Sequence, residues 1–293
     1  MMWALPVLLA AVIWSFSIIV DRVVMEKYFS KPIIPSLLGV LIGMGFFFGI
    51  WAFGGLVLLP LSILLIVLVI GVLGVAQMWT FFKSIQLEEA SRVAPLLATG
   101  PLFTLVLATI FLGEVFTLSR YVGLFLLVAG TILISIRNFR LRFGKAFKFI
   151  VLNLVLAAFG AVLYKYVLGH MNFWNAFAYA RVGAFIAAVP LFFIYRKTLI
   201  RALKTTNKKP LVIFAFSESA AFVGGLLWTV SAAIGFVTLV QALGNMHVFF
   251  VLLFTSLLSV FFPKILKEEL TKGIFAQKLV AVILIFIGAV LIV

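Results

Sequence analysis

The sequence predicts an all-α polytopic membrane protein whose ten transmembrane helices form two inverted five-helix repeats. Three observations lead to this prediction: the composition, the number of apolar stretches, and the recurrence of features of one half of the chain in the other. Apolar residues make up 66% of the 293 residues and charged residues only 11%, and the mean hydropathy is +1.33. A soluble domain does not need that much apolar surface. Helices in lipid do, since each satisfies its own backbone hydrogen bonds there.

Ten apolar stretches follow one another along the chain, and each is near the ~20 residues that cross a bilayer. The loops between them are too short to hold a soluble domain. The first stretch has no basic residue before it, so we interpret it as a transmembrane helix and not as a cleaved signal. The predicted spans are roughly residues 3–20, 33–53, 60–82, 91–112, 119–136, 148–168, 173–195, 211–233, 237–261 and 277–293.

The two halves of the chain share an order of features, and we divide them into residues 1–146 and 147–293. The matched positions are Ser84 with Ser231, Phe103 with Phe250, Glu114-x-x-Thr117 with Glu268-x-x-Thr271, and Gly130 with Gly288. The first two pairs are 147 residues apart, and an insertion at 263–267 shifts the later ones. Because each half has an odd number of spans, equivalent helices run in opposite directions, which is the arrangement of an inverted repeat.

The stretch from Ala90 to Ile134 resembles the end of an EamA repeat, the unit of the drug/metabolite transporter superfamily. The resemblance is carried by the segment Pro101-Leu102-Phe103-Thr104, the turn Gly113-Glu114…Thr117 and the helix with Gly123 and Gly130. It implies a ten-helix exporter of amino acids and related metabolites, with a substrate cavity between helices 1, 3, 4, 6, 8 and 9. Placed on this sequence, the substrate-binding wall is Trp14, Ser17, Gln77, Phe81, Tyr164, Glu218, Trp228, Gln241 and Asn245.

The basic residues predict the orientation of the chain. Twenty of the 23 Lys and Arg residues lie in or beside the odd-numbered loops, and on the other side we find only Arg120. By the positive-inside rule the odd-numbered loops are then cytoplasmic, so we expect both termini to be extracytoplasmic. The family resemblance implies the opposite, with both termini inside. The net charge of +15 is therefore assigned to topology and not to nucleic-acid binding.

Two ionisable residues are predicted near the middle of the membrane, Arg181 in span 7 and Glu218 in span 8. Charges at this depth are costly, so we expect an intramembrane ion pair between them. The pair either holds the two helices together or gates the protein and couples it to protons. EamA repeats often have an arginine like Arg181, whereas the equivalent position in the first half is Ile34.

Other polar positions allow two interpretations each. Stripes of small and polar residues in spans 1, 3, 6 and 8 fit either helix-packing seams or a cavity wall. Lys165 either extends towards the headgroups or faces the cavity. Gln241 and Asn245 are four residues apart and share a helix face, whereas His247 fits a packing role.

The absence of motifs for other functions favours a secondary transporter. We expect it to export small organic metabolites such as amino acids across the cytoplasmic membrane. No phosphate-binding loop or acid–base pair is found, which argues against an ATP-driven pump and an enzyme. With no cysteine and with His170 far from His247, we expect no metal and no cofactor. The expected partners are a small-molecule substrate and the lipid bilayer, with the protein a monomer. The alternative is a flippase or a transporter of a lipid-linked, phosphorylated or sugar substrate.

Overall fold

The computed structural model describes residues 2–28, 33–53, 55–88, 90–135, 144–206, 208–261 and 272–293, and all regular structure in these ranges is α-helical. The helices are α1 Ala4–Tyr28, α2 Ile33–Ala52, α3 Leu61–Leu87, α4 Ala90–Leu97, α5 Gly100–Leu112, α6 Leu118–Ser135, α7 Phe147–Leu168, α8 Phe173–Thr205, α9 Lys208–Ile234, α10 Val237–Gly244, α11 His247–Phe261 and α12 Lys272–Ile292.

The predicted all-α membrane fold of about ten helices is confirmed. Eight helical stretches of the described chain are long and apolar enough to cross a membrane, and Ala4–Val20 and Ala276–Ile292 are shorter apolar helices at its two ends. The chain is therefore an integral multi-pass membrane protein of about ten helices. The predicted boundaries hold to within a few residues, except that α1, α3 and α8 continue beyond the spans at their C-terminal ends.

Two predicted spans are each broken near the middle. The span 91–112 consists of α4 and α5, and the span 237–261 consists of α10 and α11. At the first break Pro101 lies in the first turn of α5, where its fixed φ and missing N–H are tolerated. Both breaks are tightened by backbone hydrogen bonds between residues three apart, from Thr99 to Leu96 (3.1 Å) at the first and from Asn245 to Ala242 (3.1 Å) at the second. The Asn245 N–H is also shared with the carbonyl of Gln241 (3.2 Å).

The helices pair across the two halves of the chain. The most extensive pairings are α6 with α12, α1 with α9, α3 with α7, α3 with α8, and α2 with α8. Small residues bring some of these backbones into contact, as is common in membrane bundles. Gly71 of α3 lies against the backbone of Gly183 and Ala184 in α8, and Gly123 of α6 lies against Gly288 of α12.

The bundle has two unlike ends. At one end, which we call the terminal end, Trp3 near the N-terminus and Ile292 near the C-terminus belong to one buried apolar cluster with Val7, Leu239 and Leu243. The opposite end, which we call the basic end, is where α3 and α8 finish and α7 and α9 begin. The terminal end is thus closed by packed side chains at the level of α10.

Candidate functional site

A cavity of about 670 Å³ lies at the two helix breaks and extends towards the basic end. The break residues Ala98, Gly244 and Asn245 are in its wall, and Phe81 and Val93 line it closer to the basic end. The remaining wall residues are Trp14, Ile18, Gly74, Gln77, Met78, Ala94, Leu97, Ser135, Asn153, Leu154, Ala157, Trp228, Gln241, His247 and Val248. We call this space the central cavity.

The polar groups of the central cavity are concentrated at the second break. Gln241 and Asn245 lie one helical turn apart and both line the cavity. The Asn245 side-chain amide donates a hydrogen bond of 3.4 Å to the carbonyl of Ala98, so the two breaks are in contact. His247 also lines the cavity, and its Nδ1 lies 3.0 Å from the carbonyl of Gly244. Helix breaks expose such backbone and side-chain groups where a continuous helix would hide them.

A second polar group faces the cavity from α3 and α7. The Asn153 side-chain amide donates to the carbonyl of Gln77 (2.6 Å) and to the hydroxyl of Thr80 (3.1 Å). Gln77 itself is in the cavity wall. Asn153 therefore fixes α7 against α3 beside a side chain that was predicted to contact substrate.

Two tryptophans form the flat part of the wall. The indole N–H of Trp14 donates to the carbonyl of Ala221 at 3.0 Å, and Gly224 makes room for the ring, since a Cβ there would come within 2.8 Å of its Nε1. Trp228 packs edge-on against Tyr164, with ring centroids 5.8 Å apart. A methyl group on Gly244 would lie 3.7 Å from both indoles, so the two rings flank the second break.

A smaller cavity of about 340 Å³ adjoins the central one, and Trp14 and Trp228 line both. Its other wall residues are Tyr164, Phe177, Arg181, Glu218, Ala221, Phe222, Gly225 and Thr229. The Arg181 guanidinium carbon lies 4.8 Å from the ring centroid of Phe177 and 5.2 Å from that of Phe222. We call this space the Arg181 pocket.

Arg181 and Glu218 face the same stretch of α2. A Cβ on Gly43 would lie 3.3 Å from Arg181 Cδ, and a Cβ on Gly39 would lie 3.2 Å from Glu218 Oε2. Gly39 and Gly43 are one helical turn apart, so the two charged side chains lie at neighbouring depths in the bundle. The ion pair that the sequence predicts stays a prediction, since the described contacts of the guanidinium are with the two rings.

The structure brings eight of the nine predicted wall residues together in the two adjoining cavities. The central cavity has Trp14, Gln77, Phe81, Trp228, Gln241 and Asn245, and the Arg181 pocket adds Tyr164 and Glu218. Ser17 lies apart from them. Its hydroxyl donates to the carbonyl of Ser217 (3.0 Å), and the Ser217 hydroxyl donates to the carbonyl of Ser17 (3.3 Å). Ser17 is therefore part of the packing seam between α1 and α9.

Lys165 takes neither of the two positions that its sequence allowed. Its ammonium donates to the carbonyls of Ala232 (2.8 Å), Ala233 (3.3 Å) and Gly235 (2.8 Å) at the C-terminal end of α9. These are carbonyls that the helix itself leaves without partners, and a cation is favourable there. Lys165 thus stabilises the end of α9 and lies outside both cavities.

A carboxylate in the turn after α5 binds the N-terminal end of α10, as Lys165 binds the C-terminal end of α9. Glu114 is buried, and its carboxylate accepts hydrogen bonds from the N–H groups of Val237 (2.6 Å) and Thr238 (3.2 Å), the first residues of α10. A carboxylate satisfies the free donors of a helix N-terminus and complements its dipole. The sequence places Glu114 in a turn but does not indicate that it caps α10, because its donors lie more than a hundred residues away.

A third space lies on the outside of the bundle. It is an apolar groove of about 800 Å³ on the exposed side of α2, between the start of α8 and Ser219 of α9. Gly45 and Gly49 of α2 line it, and a Cβ added to either would have no other atom within 4 Å.

Comparison with known proteins finds a family match in the first half of the chain. Residues 1–136 match the model of the EamA-like transporter family. The match supports, over those residues, the resemblance found in the sequence.

Two further comparisons describe proteins that are similar to this chain. An uncharacterized protein of Methanocaldococcus jannaschii is 27% identical over 132 residues, which are 45% of this chain and 94% of that protein. A solved crystal structure aligns with 99% of this chain and 96% of its own, with a TM-score of 0.74 and 16% identity. At that identity the crystal structure shows the fold alone.

Proposed function

We propose that this protein is a secondary transporter that exports small organic metabolites such as amino acids across the cytoplasmic membrane. One observation carries the proposal: the central cavity lies at mid-bundle, where both broken spans meet, and combines uncharged polar groups with aromatic walls. Inverted-repeat transporters bind their substrates at such broken helices.

The chemistry of the cavity suits a small amphipathic solute. Gln241 and Asn245 have amide groups that both donate and accept hydrogen bonds, so they can replace water around an amino or carboxyl group. Trp14 and Phe81 offer flat apolar surface for a side chain without demanding one shape. A volume of about 670 Å³ is within the usual range for small-molecule sites.

Two inverted repeats, residues 1–146 and 147–293, are part of the proposal. Swapping the two halves turns the pairing of α1 with α9 into the pairing of α7 with α3, and both pairings are present. The breaks at Ala98 and Asn245 are 147 residues apart. Gly123 lies against Gly288, and Gly130 lies against Ala281, which are equivalent pairs under the same exchange. The archaeal relative, matched over nearly its whole length by less than half of this chain, supports a unit of this size.

The proposed orientation places the basic end in the cytoplasm. The central cavity then faces the cytoplasm while the terminal end is closed, which is the state that captures a substrate for export. A C-terminal alkaline phosphatase fusion is expected to be active and a C-terminal green-fluorescent fusion dark. The reverse result would place both termini inside and the cavity mouth outside.

The transport function is tested in proteoliposomes with a panel of amino acids, with and without a pH gradient. Gln241→Ala is expected to abolish uptake and substrate-induced thermal stabilisation while the melting temperature of the free protein is kept. Ser17→Ala is the matched control, since Ser17 lies in the α1–α9 seam, and its substrate response should equal that of the wild type. Transport that survives in Gln241→Ala, or no response to any amino acid in the wild type, contradicts the proposal.

The apolar groove beside α2 supports a second candidate, a flippase for a lipid-linked substrate. Its volume of about 800 Å³ exceeds that of the central cavity, and it opens to the membrane-facing side of α2. Enlarging Gly49 to Leu would fill the groove without touching the central cavity. Loss of activity in Gly49→Leu with normal stability would favour a lipid-linked substrate, whereas unchanged uptake of a soluble solute favours the first proposal.

A further inference from the structure

We infer that the Arg181 pocket is the subsite for the carboxylate of the transported solute, and that this solute is an amino-acid-like zwitterion. The inference rests on the proposed transport function and assigns a part of the substrate to a second space beyond the central cavity. Four observations carry it: the state of Arg181, the position of the pocket, its hydroxyl groups and its charge balance.

The surroundings of Arg181 suit the binding of a ligand better than a role in helix packing. Its guanidinium lies between the rings of Phe177 and Phe222, which hold it in position without using its donors. Its Nε atom is buried, and within the described part of the chain no acceptor is hydrogen-bonded to it. A guanidinium presents its five N–H donors as a planar fork that matches a carboxylate. Such a group inside a membrane protein usually serves a function.

The pocket adjoins the central cavity. Trp14 and Trp228 belong to both walls, so a solute between the two indoles borders the polar second break on one side and Arg181 on the other. The smaller space of about 340 Å³ exceeds what a carboxylate with a few waters needs, since one water takes roughly 30 Å³. The apolar side chain of the solute would stay between the tryptophans and Phe81.

Hydroxyl groups line the pocket beside Arg181. The Thr229 hydroxyl donates to the carbonyl of Gly225 at 2.8 Å and lies 3.5 Å from the Tyr164 hydroxyl. The phenol of Tyr164 carries a proton that it can donate to an anion in the pocket. Arg181 and Tyr164 therefore offer donors to the same guest.

The two charged residues of the pocket wall select the class of guest. They are Arg181 and Glu218, and the carboxylate of Glu218 faces α2 one turn further along. A guest with only negative charge would be attracted by the first and repelled by the second. A zwitterion, with a carboxylate towards Arg181 and an ammonium towards the carboxylate of Glu218, meets a favourable charge at both ends.

The test compares L-phenylalanine with L-phenylalaninamide, which differ only in the carboxylate, by thermal stabilisation and by competition for uptake. Wild-type protein is expected to bind the acid on the order of 10- to 100-fold more tightly than the amide, since hydrogen bonds to charged groups contribute that much. Arg181→Gln should bind both compounds equally, at the affinity of the amide. Arg120→Gln is the matched control, because Arg120 also lies over a phenylalanine ring, at 5.8 Å, but lines neither cavity.

A second pair of variants decides the result where Arg181→Gln does not fold. Glu218→Gln should keep the preference for the acid, and Arg181→Gln/Glu218→Gln, which removes both charges, should lose it. A preserved preference in either Arg181 variant overturns the inference and leaves the transport function standing. A wild-type protein that responds to neither compound but transports other solutes overturns the inference and its substrate class together.

Discussion

The two broken spans occupy equivalent places in the chain but are built differently. The first break has prolines on both sides, Pro95 in α4 and Pro101 at the start of α5, and the Thr99 hydroxyl donates to the carbonyl of Leu96 within the same span (2.6 Å). The second break has no proline, and its Asn245 N–H is shared between two backbone carbonyls. Prolines therefore restrict the backbone at the first break, whereas nothing comparable restricts it at the second.

The neighbouring helices show the same contrast. Arg181 and Glu218 belong to α8 and α9, and the residues 147 positions earlier are Ile34 and Gly71. Ile34 is packed in an apolar cluster with Phe214, and Gly71 lies against the backbone of α8. The first half thus has packing residues at these two positions, whereas the second half contributes the two charged residues of the Arg181 pocket.

The largest effect is expected from the two charges. If Arg181 and Glu218 are paired, then Arg181→Ala and Glu218→Ala each leave one charge alone in a low dielectric, at a cost on the order of 3–5 kcal/mol. The double variant removes both charges and should be more stable than either single variant. Unfolding in detergent micelles measures the three free energies. A double variant no better than the worse single one would show that the residues act separately.

A smaller loss of stability is expected from the cap of α10. Glu114→Gln keeps the shape of the side chain but removes the charge that two N–H groups donate to, so we expect a loss of about 2 kcal/mol in the free energy of unfolding. Thr99→Val at the first break removes a neutral hydrogen bond and should cost less than about 1 kcal/mol.

Equal losses in Glu114→Gln and Thr99→Val would remove the distinction between the two broken spans. The same denaturation experiment compares both variants with the wild type. The counterpart of Glu114 in the other half, Glu268, lies outside the described residues, so the comparison is drawn between these two positions.

Sequence patterns located the spans well because twenty apolar residues in a row leave few alternatives. They predicted both broken spans as continuous, since Gly244 and Asn245 are compatible with a continuous helix and prolines are tolerated in membrane helices. Gln77, Gln241 and Asn245 could be predicted as cavity wall, because helical spacing places the polar residues of each span on one face of that span. The capping role of Glu114 could not be predicted, because its donors in α10 come from the other half of the chain.

Local spacing also could not separate a wall residue from a seam residue. Ser17 and Trp14 lie on the same stripe of α1, but only Trp14 has Gly224 opposite it, which leaves space for the ring and for the cavity beside it. Ser17 meets Ser217 instead, and their reciprocal hydrogen bonds close the seam. The residue of α9 that faces each position decides whether it lines the cavity or belongs to the seam. That residue is known only once α1 and α9 are placed together.

The smallest effect on stability, and the sharpest on function, is expected from Asn245→Ala. Its amide joins the second break to the carbonyl of Ala98 by a bond of 3.4 Å, and side-chain hydrogen bonds between membrane helices contribute about 0.6 kcal/mol on average. The melting temperature should therefore stay close to that of the wild type, while substrate-induced stabilisation is lost, because the same amide lines the cavity. Thr99→Val is again the reference, since its hydroxyl bonds within its own span and its loss should leave the substrate response unchanged. If Asn245→Ala lowers stability and activity in proportion, Asn245 holds the two breaks together and is not a substrate ligand. The two broken spans would then differ in sequence but share the same structural role.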